Sequence, residues 1–133
     1  MDAQIKYQYW LEKAHYDLDT ATTMLNGRRW LYVVFMCQQA IEKLTKGLYV
    51  LYVDDTIPRV HNIRAIIEKF EDKLSVDVPE SSYEFFDTLS SYYLNNRYPD
   101  YMNDLNAQIK EAEAKETLER TKEAFAWLLT LKV

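Results

Sequence analysis

Three polar side chains, Gln38, Glu42 and Lys46, recur at intervals of four within Gln38-Gln39-Ala40-Ile41-Glu42-Lys43-Leu44-Thr45-Lys46. On a helix that spacing stacks an amide, a carboxylate and an ammonium one turn apart along one side, as a polar track bordering an apolar face. The track can serve as the wall of a binding site. The alternative is a solvated helix edge with a Glu42–Lys46 pair worth about 0.2–0.5 kcal/mol. His61 follows Pro58 and Arg59; imidazole is the natural proton carrier near neutral pH, and the plainer role for a lone histidine is a structural hydrogen bond. His15 has only that plainer reading, beside an apolar stripe. The stretch Tyr92-Tyr93-Leu94-Asn95-Asn96-Arg97-Tyr98-Pro99-Asp100-Tyr101 joins aromatic faces that can stack on bases to a guanidinium that can fork onto phosphate. Against this stands a packing role, with the tyrosines beside the core and Arg97 paired to a carboxylate such as Glu42 or Asp100.

Helices must position these groups. From Ala3 to Leu25 the residues Tyr7, Trp10, Leu11, Ala14, Leu18, Ala21 and Leu25 recur at spacings of three and four, one buried helical stripe. Asn26 and Gly27 tolerate a left-handed backbone and are expected to end that helix. Arg29 to about Val53 carries Trp30, Leu31, Val34, Phe35, Cys37, Ile41, Leu44, Leu48 and Leu51, a wider apolar face that suits a central helix. It is expected to stop before Asp54, Asp55, Thr56 and Pro58, since Pro58 lacks an amide proton and disfavours helical geometry at Ile57. Ile63, Ile66, Ile67, Phe70 and Leu74 predict a third helix, and Glu80-Ser81-Ser82 leading into Phe86, Leu89, Tyr92, Tyr93 and Leu94 a fourth. Asn95 to Asp104 reads as a polar loop around Pro99. A last helix runs from about Asn106 or Ala112 to Leu131 through Ala114, Leu118, Thr121, Phe125 and Leu128.

Composition agrees with this pattern. The 133 residues are 48% hydrophobic and 28% charged, with two glycines and three prolines, which disfavours both disorder and a turn-rich β fold. A chain of this length buries roughly two-thirds of its unfolded surface around one core. The expected architecture is therefore all-α, an up-and-down helical bundle of about five helices forming a single domain over residues 1–133. The net charge of −5, from 21 acidic and 16 basic side chains, argues against a protein held to nucleic acid mainly by phosphate neutralisation. One cysteine, Cys37, builds neither an intrachain disulfide nor a cysteine-rich zinc site. There is no Gly-rich phosphate loop, no His-Glu-x-x-His zinc pair, no Gly-x-Ser-x-Gly elbow and no second Glu-x-x-His beside Glu12–His15 to make a diiron pair, so no metal site is expected. Without a long apolar run or a leader-like N-terminus, the expected location is the cytoplasm, with no membrane association.

Taken together, Trp10 with Ala14, Asp17, Leu18 and Ala21, then Gln38-Gln39-Ala40-x-Glu42-Lys43-x-x-Lys46, then His61, then Arg97-Tyr98-Pro99-Asp100 resemble the HEPN domain over nearly the whole chain. The resemblance implies a helical bundle, commonly dimeric, whose members accompany minimal nucleotidyltransferases in prokaryotic toxin–antitoxin pairs or act as metal-independent ribonucleases. In the ribonucleases an arginine precedes a histidine by a short interval of variable length, and both subunits contribute. Here Asp55, Thr56 and Ile57 occupy that interval before His61, and Arg97 is followed by Met102, Asn103 and Asp104. The remaining match is similar to the branch proposed to bind nucleotides or to assist a nucleotidyltransferase.

The resemblance thus implies a module with a nucleotide as its ligand or a minimal nucleotidyltransferase as its partner, acting as a homodimer. Its expected site has Arg97 on phosphate, Tyr98 or Tyr101 stacked, and Gln39, Glu42 and Lys46 along the wall with His61. Two alternatives stay open. One is a ribonuclease acting on RNA, in which His61 and Arg97 converge as proton carrier and charge stabiliser; the other is a dimerising bundle without ligand.

Overall fold

The computed structural model describes residues 2–94 and 99–132, with side chains at all of these except 99–102. Within them the chain forms six α-helices and no strand: α1 (Ala3–Asn26), α2 (Trp30–Tyr52), α3 (Ile63–Leu74), α4 (Glu80–Ser90), α5 (Pro99–Gln108) and α6 (Glu111–Leu129). None is long and apolar enough to cross a membrane.

The wide apolar face of α2 makes it the axis of the fold, and every other described helix packs against it. Val33, Val34, Cys37, Ala40, Ile41, Leu44 and Leu48 are buried there. Against them α1 brings Tyr7, Ala14 and Ala21, while α6 brings Ala114, Leu118, Phe125 and Leu128. α1 and α2 approach closely at Gly47, where a β-carbon would stand 3.1 Å from Cβ of Trp10 and 3.4 Å from Cδ1 of Tyr7. The absent side chain is what lets the two backbones meet.

Caps set the helix limits. The Asp2 carboxylate accepts from the amide of Gln4 at 2.9 Å, and the Asn62 side chain accepts from Ala65 at 3.0 Å, opening α1 and α3. At the end of α1 the expected left-handed residue is displaced by one or two positions: Gly27 has φ −85°, and Arg28 takes φ 60°. The turn closes there, with Arg28 donating to the Leu25 carbonyl and Arg29 to that of Met24. The Arg28 guanidinium lies 5.5 Å from the Trp30 ring, a contact that offsets part of the strain.

Two boundaries differ from the sequence reading. α4 ends at Ser90, which leaves Tyr92, Tyr93 and Leu94 beyond it. The segment read as a loop contains α5, because buried Leu105 and Ile109 just past it give that stretch apolar anchors, and Pro99 is tolerated at a first helical position.

Candidate functional site

Glu42 lies on the inward side of α2 and is only 4% exposed. Its Oε1 accepts from Nε2 of Gln38 at 2.8 Å, and its Oε2 accepts from Nζ of Lys46 at 3.0 Å. The carboxylate also faces Nδ1 of His61, 3.0 Å from Oε1 and 3.3 Å from Oε2. Gln38 is fully buried and Lys46 is 8% exposed, so the reading of this track as a solvated helix edge is corrected. The spacing was legible, but the α2–α3 loop that covers it was not. Burying an ion pair is costly unless the remaining lone pairs and protons are satisfied, and here Gln38 and His61 complete the set.

His61 belongs to no helix. It sits in the loop that enters α3, and the next turn is tied down where Ile63 donates its amide to Oγ of Ser90 at 3.0 Å. That bond draws the C-terminal end of α4 against the start of α3, and so brings Tyr93, just past α4, onto the imidazole. The two rings stack with centroids 3.7 Å apart and planes 12° from parallel. Because Nδ1 faces a carboxylate, it carries the proton, which leaves Nε2 as the acceptor of a neutral ring and a donor when the ring is charged. The side chain is 47% exposed. A buried acid orienting a half-exposed imidazole is an arrangement that can exchange protons with, or hydrogen-bond to, a molecule outside.

Of the residues expected in the site, Glu42, Lys46 and His61 are in one hydrogen-bonded cluster. Gln39 joins it at one remove, its Nε2 donating to Oε1 of Gln38 at 2.8 Å. Arg97 and Tyr98, and the side chain of Tyr101, lie outside the described residues. The site expectation omitted Tyr93 and Gln38, although both were in motifs that drew attention; what placed them was the loop geometry. Also unforeseen is the ion pair between Asp17 and Lys43, which links α1 to α2. Its signal was an acid among the inward positions Ala14, Leu18 and Ala21 of α1. His15 packs its ring on Phe125 of α6, centroids 4.9 Å apart, in keeping with its plainer reading.

The family model of the HEPN domain matches residues 7–131. The chain belongs to the HEPN family. No curated protein matches this HEPN chain in sequence. Among solved structures it is similar to TT1696 from Thermus thermophilus, with 26% identity and a TM-score of 0.80 over 95% of this chain and 98% of that one. It also shares its fold with ST0689, an archaeal HEPN homologue, at 23% identity and a TM-score of 0.73 over the same shares of the two chains.

Proposed function

We propose that this HEPN protein is a nucleotide-binding module, a single domain acting as a homodimer and serving a minimal nucleotidyltransferase in a toxin–antitoxin type of pair. The observation that carries the proposal is the anchored His61 ring. Held through Nδ1 by buried Glu42 and flat against Tyr93, it offers Nε2 and an aromatic surface to a ligand, while Gln38 links it to half-buried Gln39. A fixed ring nitrogen and a stacking surface are features that recognition of a base can use. Arg97, Tyr98 and Tyr101 are proposed to complete it.

Saturating nucleotide should raise the thermal unfolding midpoint, since a ligand bound only by the folded state adds about 2.7 kcal/mol at one hundred times its Kd. His61→Ala should abolish that rise. If no nucleotide shifts the midpoint of the unmodified protein, nucleotide binding is not its role.

The Glu42–His61 pair also favours a second reading, that of a metal-independent ribonuclease, because an acid-oriented imidazole is suited to general acid–base catalysis. Cleavage of single-stranded RNA in the presence of a chelator, lost in His61→Ala, supports it. Intact RNA across a broad panel rejects it.

A further inference from the structure

Among the described residues, α1 turns an uncovered stripe to solvent. Ile5, Tyr9 and Tyr16 are 58%, 57% and 73% exposed. At 100° per residue they fall within about 40° of one another around the helix and span roughly 16 Å along it. Single exposed hydrophobics need no explanation, but an aligned series on one helix is the pattern of a packing seam. Among the charges that border it, Glu12 lies about 40° to one side of the seam and Lys13 about 60° to the other. Both are exposed, and their partners within the chain are weak. Glu12 accepts from Gln8 at 3.4 Å, and Lys13 lies 4.9 Å from the Tyr9 ring centroid. On the α2 side the seam opens into a concavity of ≈300 Å³ whose walls include Tyr9, Lys13, Tyr16 and Lys43.

We propose that this stripe is the docking surface for a second copy of the chain, with the two α1 helices parallel and related by a two-fold axis running along them. The inference rests on the homodimer proposed above and names its interface. The charges select the arrangement. A two-fold axis along the helices sets the left flank of one against the right flank of the other, so Glu12 of each copy meets Lys13 of the other, while Tyr9 faces Tyr9 and Tyr16 faces Tyr16. An antiparallel pairing on the same seam would keep like flanks together, opposing Glu12 to Glu12 and Lys13 to Lys13. The apolar-aromatic centre with a charged rim has the usual anatomy of an interface.

Sedimentation equilibrium of the full chain over a wide concentration range tests this with exposed-site variants that leave the core intact. The unmodified protein is expected to dimerise. Lys13→Glu and Glu12→Lys should each raise the dimer Kd about tenfold, and the double swap Glu12→Lys/Lys13→Glu should restore it, because the exchanged charges still face opposite partners. A dimer indifferent to the single reversals would overturn the α1 interface and leave the homodimer standing. A monomer at every concentration would overturn both.

Discussion

Nδ1 of His61 lies 3.0 Å from Oε1 of Glu42, across 19 positions of sequence. The carboxylate is buried and the imidazole half-exposed, so one member of the pair belongs to the core and the other to the surface. Glu42 consequently has two duties, balancing the buried Lys46 and orienting His61, and the two separate by mutation.

Glu42→Ala is expected to cost about 3–5 kcal/mol, because it leaves the Lys46 ammonium buried without a counter-charge. Urea denaturation measures it. Adding Lys46→Met should recover much of the loss, and the double-mutant cycle should show strong coupling. An additive result would mean that the two side chains do not depend on each other.

Gly47→Ala should destabilise the fold by about 1 kcal/mol net. The methyl group gains about 1 kcal/mol of helix propensity but presses on Cβ of Trp10, which is fixed to the α1 backbone, at an overpacking cost of about 1–3 kcal/mol. A variant as stable as the parent would show that α1 can shift away at no cost.

Ser75 closes α3 in the left-handed region at φ 51°. Ser75→Gly should therefore stabilise the protein by about 0.5–1 kcal/mol, since glycine adopts that geometry without a β-carbon clash. A raised unfolding midpoint is the expected readout.

Burial pushes the Cys37 thiol up to about 11, with the Thr121 hydroxyl and Lys122 pulling weakly the other way. The folded state thus holds the proton more tightly than the unfolded chain does. The stability this confers is fully present below the unfolded value near 9.0 and is lost as pH rises from there through about 11. Cys37→Ala should show a shallower decline of the unfolding midpoint over that window. At neutral pH the thiol should resist alkylation in the folded protein.

Much of this was legible in the sequence because helix-forming patterns are local. Spacings of three and four marked the stripes of α1, α2, α3 and α6, and the Pro58 cluster marked the end of α2, since periodicity and missing amide protons act within a few residues. The motif that joins Gln38, Glu42 and Lys46 was visible for the same reason. Its burial was not: α2 alone cannot say whether a polar side faces water or another segment. The end of α4 was misjudged because Tyr92 and Tyr93 continue an apolar rhythm, while their destination is decided by the Ser90–Ile63 bond and the His61 ring.

By itself, then, the sequence determined α1, α2, α3 and α6, the central place of α2 and the residue types at the site, all consequences of side-chain spacing along one chain, while α5 was missed. Only the tertiary structure decided that Glu42 and Lys46 are interior, that His61 turns Nδ1 onto Glu42, that Tyr93 is its stacking partner, and that Asp17 reaches Lys43. Burial and pairing between residues far apart in sequence depend on how helices pack, and packing is a property of the whole core.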